Sequence, residues 1–320
     1  MTVRKTPIAW FGGKTAWADW IVSHLPQHRA YCEVFGGSAA VLFAKKPSPI
    51  EIYNDLDEGL VTFYRALADP DQCARMLDHV WKIPYSRHLY RAWRTGGWQD
   101  HPDPAVRAAR WFYVARASFS AQFGESWSFG STTSARGMEE HVNKWVGSWE
   151  ALPAFHQRWL RVSVDQDDWS VILDRYDAPS MLFYLDPPYV PETRKKGQYA
   201  HELTTDDHRR LVARLLTLQG MAVLSGYDSP VYAPLMHAGW HQERRVGLLH
   251  ADRVKQRAGQ ARAKRVECLW INPSALAARH QLTLWGGSPI LSRATASENP
   301  VDPLTGISEG GADAHDLSRL

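Results

Sequence analysis

Apolar positions along the chain alternate between two patterns: short continuous runs, as in strands buried on both faces, and longer stretches with helical spacing. Tyr31 to Phe35 (YCEVF) runs into Gly36-Gly37-Ser38 and then the helix-compatible Ala39 to Ala44. Ile50 to Tyr53 (IEIY) ends in Asn54-Asp55-Leu56-Asp57. Ser180 to Leu185 (SMLFYL) delivers Asp186-Pro187-Pro188-Tyr189. Met221 to Ser225 (MAVLS) follows a helix predicted over Thr205 to Gln219, with Thr205 as N-cap, Asp206 and Asp207 in the first turn, and Gly220 as the stop. Strands alternating with helices predict an α/β fold with a mostly parallel sheet.

Between Asp57 and about Val164 the alternation stops. This segment holds Trp81, Trp93, Trp98, Trp111, Trp127, Trp145, Trp149 and Trp159, along with helical stretches such as Ala105 to Arg116. It reads as a separate, mainly helical insertion. The expected organisation is an α/β domain formed by residues 1–60 and 165–284, an insertion at 61–164, and a flexible tail at 285–320, rich in Gly, Ser, Pro and Asp.

Composition adds mostly exclusions. The 320 residues are 44% apolar and 22% charged, ordinary values that exclude collagen-like, wholly disordered and disulfide-scaffold proteins. No apolar run reaches the ~18 residues of a membrane helix, and Met1 to Ala9 lacks a signal peptide's apolar stretch. A soluble, cytoplasmic protein is the expectation. Three cysteines without a CxxC pair support neither a disulfide framework nor a cysteine zinc site. The histidines, His201 and His208 included, lack metal-ligand spacing, so no metal is expected. A net charge of +3 is uninformative, but Arg244 to Arg265 carries eight basic residues against Asp252 alone. That stretch suits either a polyanion or a solvated loop.

A glycine turn after a buried strand admits a ligand to the backbone, and an acid at the end of the next strand can take both ribose hydroxyls. Gly36-Gly37 and Asp55, 18 residues after Gly37, fit that geometry, although a tight structural turn reads the same. The missing third glycine argues against a nicotinamide or flavin dinucleotide. Gly12-Gly13-Lys14-Thr15 is not a phosphate loop, because Ile8 stands where that loop needs glycine. Lys14 could instead meet a ligand carboxylate. Asp186-Pro187-Pro188-Tyr189 is the sharpest feature: two prolines hold the chain extended at a strand tip. Asp186 and the Pro187 carbonyl can accept hydrogen bonds from an exocyclic amine, and Tyr189 offers a ring on which a base can stack.

Trp10-Phe11-Gly12-Gly13-Lys14, Glu33-Val34-Phe35-Gly36-Gly37-Ser38, Asn54-Asp55 and Asp186-Pro187-Pro188-Tyr189 are similar, in order and spacing, to the DNA adenine methyltransferase (Dam-like) family. So are Asp207-His208-Arg209-Arg210-Leu211, Ser225-Gly226-Tyr227-Asp228-Ser229-Pro230 and Glu267-Cys268-Leu269-Trp270, which extends the resemblance over about residues 7 to 273. It implies a Rossmann-like S-adenosylmethionine domain interrupted by a target recognition domain, in a cytoplasmic enzyme of a bacterial or phage-infected cell that acts on double-stranded DNA. It further implies that Trp10 and Lys14 flank the methionine end of the cofactor, that Phe35, Gly36, Gly37 and Ser38 form its glycine turn, that Asp55 holds the ribose, and that Asp168 lies beside the adenine. Arg116 falls in a stretch only loosely similar to the recognition domain. With Arg253, Lys255, Arg257, Arg262, Lys264 and Arg265 it makes up the expected DNA contacts.

The resulting expectation is direct methyl transfer to adenine N6 of a flipped-out base, with Asp186, Pro187, Pro188 and Tyr189 as the catalytic set and no covalent enzyme intermediate. The chain has no Pro-Cys dipeptide of the kind that ring attack on cytosine requires. Two rivals stand beside it: an RNA amine methyltransferase, and a catalytically silent nucleic-acid binder of the same fold.

Overall fold

The computed structural model describes residues 6–131, 135–193, 201–248 and 264–285. Seven strands form one sheet: β1 (Ala30–Glu33), β2 (Ile50–Asn54), β3 (Val162–Asp165), β4 (Met181–Leu185), β5 (Met221–Gly226), β6 (His241–Leu248) and β7 (Lys264–Ile271). Their order is β3-β2-β1-β4-β5-β7-β6, with β1 to β5 mutually parallel and β7 antiparallel to both of its neighbours. This bears out the Rossmann-like expectation. The order reverses between β1 and β4, where Glu33 pairs with Tyr184. A parallel sheet opens a ligand crevice at such a switch point, beyond the carboxyl ends of its strands. The glycine turn leaves β1 at this point, and Asp186 leaves β4 beside it.

The helices are α1 (Ala18–His24), α2 (Ala40–Ala44), α3 (Glu58–Ala68), α4 (Pro70–Trp81), α5 (Arg87–Trp93), α6 (Pro104–Ala117), α7 (Glu140–Glu150), α8 (Leu152–Trp159), α9 (Trp169–Tyr176), α10 (Thr205–Leu216), α11 (Ala233–His237) and α12 (Pro273–Trp285). α10 starts at Thr205, but its N-cap is Thr204 rather than Thr205. Thr204 and Asp207 form a reciprocal capping box that satisfies two otherwise orphaned amides. The helix also stops short of Gln219. Asp177 accepts hydrogen bonds from the Gln219 and Gly220 amides and holds that segment outside the helix.

The helical run α3 to α8 lies between β2 and β3 and ends at Trp159, and residues 162–165, of which the sequence reading assigns 162–164 to the insertion, belong to the sheet. The run has no core of its own. Tyr53 of β2, Tyr64 of α3 and Trp159 of α8 pack together with ring centroids 4.2 to 5.3 Å apart, Tyr64 stacked on Trp159 and Tyr53 edge-on to Trp159. Tyr31, Phe63, Trp111, Phe112 and Trp145 continue the same apolar cluster. An amphipathic helix buries its apolar face wherever a complementary face is available, and here one face of the sheet provides it.

A buried ion cluster joins the same elements. Glu51 on β2 accepts from Lys45 Nζ at 2.6 Å and from both terminal guanidinium nitrogens of Arg158 on α8, at 2.6 and 2.9 Å. Arg158 also donates to the Leu42 carbonyl. Burial works to raise the Glu51 pKa, but the Arg158 hydrogen bonds and the Lys45 charge bring it below the ordinary value. No helix among the described residues is long and apolar enough to cross a membrane. Cys32, Cys73 and Cys268 are buried free thiols.

Candidate active site

A cleft of about 460 Å³ opens over the tips of β1, β2 and β4, a size ordinary for a small-molecule site. Its floor is the glycine turn. Gly37 has φ +50°, a left-handed conformation that favours glycine. At Gly36 the backbone lies against the Tyr53 ring so closely that an added Cβ would sit 2.1 Å from a ring carbon. Tyr53 Oη donates to the Gly37 carbonyl at 2.8 Å, and the Gly37 amide donates to Asp55 Oδ2 at 2.8 Å. The Asp57 amide donates to Asp55 Oδ1 at 2.9 Å. Turn and acid are thus one hydrogen-bonded unit. Burial pushes the Asp55 carboxyl up to about 6, although the Asp57 and Gly37 amides draw it down. Asn54 fixes the neighbouring strand tips by donating to the Val34 and Asp167 carbonyls and accepting from the Asp167 amide.

The structure brings every cofactor residue expected from the sequence into this cleft: Trp10, Lys14, Phe35, Gly36, Gly37, Ser38, Asp55 and Asp168 all line it. Asp168 also caps α9 by accepting from the Ser170 amide, and buried Trp169 follows it on the cleft wall. Trp10 links the cleft to the helical region. Its ring lies 5.9 Å from Trp111 and 6.5 Å from Phe123.

Glu33 at the tip of β1 received no role from the sequence. It is 2% exposed and lines the cleft. Its Oε1 accepts from Tyr31 Oη at 2.9 Å and from the Leu42 amide at 2.8 Å, whereas Oε2 is buried with no hydrogen-bond partner. Burial pushes its carboxyl up to about 8. A half-satisfied carboxylate of this kind fits an ammonium in the cleft. Glu33, the glycine turn and Asp55 together match the amino-acid and ribose ends of an adenosyl amino acid.

Asp186 sits at the other side of the cleft. Its Oδ1 accepts from Lys14 Nζ and from Ser225 Oγ, both at 2.8 Å, and Tyr184 Oη lies 3.0 Å from the same Ser225 hydroxyl. Lys14, expected near the methionine end, therefore pairs with the proposed catalytic acid. Tyr189 does not offer the open ring face expected from sequence. It is 7% exposed, Lys14 Nζ lies 4.7 Å from its ring centre, and Tyr227 packs against it edge-on at 4.3 Å. Its hydroxyl donates to Glu267 Oε1 at 2.6 Å. Pro187 is buried, and Pro188 lines the cleft.

Of the expected DNA contacts, Arg253, Lys255, Arg257 and Arg262 lie outside the described residues, as do the side chains of Lys264 and Arg265 at the start of β7. Arg116, at the end of α6, is half-buried with its Nε lacking a hydrogen-bond partner, and burial lowers its pKa. The chain just beyond it turns through left-handed Ser120 and Ala121 and exposes Phe119. Among the described residues no group of three or more His, Cys, Asp or Glu could hold a metal ion.

The sequence profile of the family described as D12 class N6 adenine-specific DNA methyltransferase matches residues 10–228. A search of curated proteins finds no match.

Proposed function

Because the chain belongs to the D12 class N6 adenine-specific DNA methyltransferase family, it is an S-adenosylmethionine-dependent enzyme that methylates adenine in DNA, and we propose that the cleft over β1, β2 and β4 is where it does so. S-adenosylmethionine, when bound, supplies an electrophilic methyl group. Glu33 would hold its ammonium, the Phe35 to Ser38 turn its backbone-facing side, and Asp55 its ribose. Asp168 and Trp169 would border its adenine.

Asp186 and the Pro187 carbonyl would accept hydrogen bonds from the target amine. The two prolines keep those acceptors at a fixed spacing from the strand tip. Accepting both N–H hydrogens concentrates the amine's lone pair on nitrogen, where ring delocalisation otherwise withdraws it. Asp186 would then take the proton that the alkylated nitrogen gives up. A base stacked and paired within a duplex cannot present its amine to acceptors in a cleft, so the target base would be extruded. Stacking on Tyr189 would require Lys14 or Tyr227 to move.

The carrying observation is the single cleft shared by the glycine turn and Asp186, created by the order reversal between β1 and β4. The test is transfer of labelled methyl from S-adenosylmethionine to duplex DNA by the parent enzyme and by Asp186→Ala. Loss of transfer with cofactor affinity retained supports the site. Substantial turnover by Asp186→Ala overturns it.

A further inference from the structure

Two carboxylates compete for one ammonium at the catalytic end of the cleft. Lys14 Nζ lies 2.8 Å from Asp186 Oδ1 and 3.7 Å from Glu267 Oε1. The lysine side chain is 6% exposed and that of Glu267 is 5% exposed, so solvent takes up little of either charge. A buried ammonium needs a carboxylate or equivalent partner wherever it goes. Asp186 is the residue assigned to accept from the target amine, and Lys14 holds its Oδ1. An amine that takes Oδ1 displaces the ammonium.

Glu267 is built to receive it. It enters from β7, next but one to β4 in the sheet, where its register partner on β6 is Arg245. Its Oε1 also accepts from Tyr189 Oη at 2.6 Å, so one oxygen contacts both Lys14 and the tyrosine that follows the two prolines. The ammonium can move toward Glu267 while staying over the Tyr189 ring, whose centre is 4.7 Å away.

We propose that Glu267 is a positioning residue that takes over the charge of Lys14 when the target amine claims Asp186. Before the base arrives, Lys14 neutralises Asp186 and keeps the acceptor in place. Once the amine is bound, the Lys14–Glu267 pair replaces the Lys14–Asp186 pair, and no buried charge is left alone. Glu267 touches neither the amine nor the cofactor in this arrangement. The proposal rests on the assignment of Asp186 as amine acceptor.

Glu267→Gln separates this role from a structural one, because the amide oxygen can still accept from Tyr189 while the charge is gone. The target sequence is first read by modification-sensitive sequencing of DNA methylated by the parent enzyme. Single-turnover methyl transfer is then measured on that duplex. A second measurement is the binding ratio between the target duplex and one carrying purine, which lacks the exocyclic amine, at the target position. For Glu267→Gln we expect at least about a tenfold slower transfer, loss of the adenine-over-purine binding preference, cofactor affinity within about twofold of the parent, and partial recovery in Glu267→Asp. A parental transfer rate and binding ratio in Glu267→Gln would overturn the handover and leave the Asp186 assignment standing. Turnover by Asp186→Ala would overturn both.

Discussion

The cofactor side of the cleft and the helical region beside it are built by opposite means. At the strand tips the Tyr53, Asn54 and Asp55 side chains are pinned to backbone groups: the Gly37 amide and carbonyl, the Asp57 and Asp167 amides, and the Val34 carbonyl. Around Arg116 aromatic side chains pack on one another. Tyr85 stacks on Trp127, Trp127 stacks on Phe129, and Arg87 lies over Trp127 at 4.7 Å. A backbone-built site serves one invariant ligand, whereas a side-chain-built surface can be rewritten residue by residue without disturbing the sheet. On the proposed assignment the first would hold a cofactor common to the whole family, and the second would suit a DNA partner that varies.

The sharpest break in that contrast is Gly36→Val. The new side chain would collide with the Tyr53 ring, and overpacking of about 1 to 3 kcal/mol, if it falls on the bound form, predicts a loss of cofactor affinity of about fivefold to 150-fold by calorimetry. Gly36→Val with parental affinity would mean that the turn is not tightly seated. Replacing Arg262, Lys264 and Arg265 together by Ala should weaken DNA binding about tenfold or more at moderate salt. If all three meet phosphates, the slope of log affinity against log salt should also fall by about 2 to 3, with cofactor affinity unchanged. An unchanged slope would remove the basic segment from the interface.

Acidity should affect the cofactor side alone. As the proposed ribose ligand, Asp55 would accept hydroxyls best as a carboxylate, and its raised pKa of about 6 places the change within an accessible window. Affinity should fall as pH drops through about 6, approaching tenfold by one unit below, a step distinct from the loss that protonation of the Glu33 carboxyl near 8 brings at higher pH. In Asp55→Asn the step near pH 6 should vanish, at a uniformly lower affinity. The smallest effect should come from Arg116→Ala: a few-fold weaker DNA binding in a filter assay, with cofactor binding untouched, because the residue is half-buried and its Nε is shielded from solvent.

These two constructions also explain what the sequence made visible. The glycine turn, Asp55 and the Asp-Pro-Pro-Tyr segment were legible because each is a contiguous string at a strand tip, where local backbone chemistry limits the residue choice. Glu267 could be read as part of a family resemblance, but its role could not, since its partner Tyr189 is 78 residues away and meets it only through strand pairing. Lys14 was identified while its ion pair with Asp186 was not, for the same reason. The insertion was located by the lapse in alternation, yet its union with the sheet core depends on which faces meet, and helical periodicity says nothing of that. The enclosure of the Tyr189 ring is not legible in the sequence, because it comes from Lys14 and Tyr227, both distant along the chain.

The Lys45–Glu51–Arg158 cluster bears on how far this enzyme can be trimmed. Arg158 reaches Glu51 from the last helix of the inserted run, so excising residues 58–159 and joining the ends with a short linker would leave a carboxylate in the interior facing one amine instead of an amine and a guanidinium. A minimal cofactor-binding fragment would need Glu51 and Lys45 exchanged for apolar residues in the same step. The helices are therefore not detachable cargo on a ready-made catalytic platform.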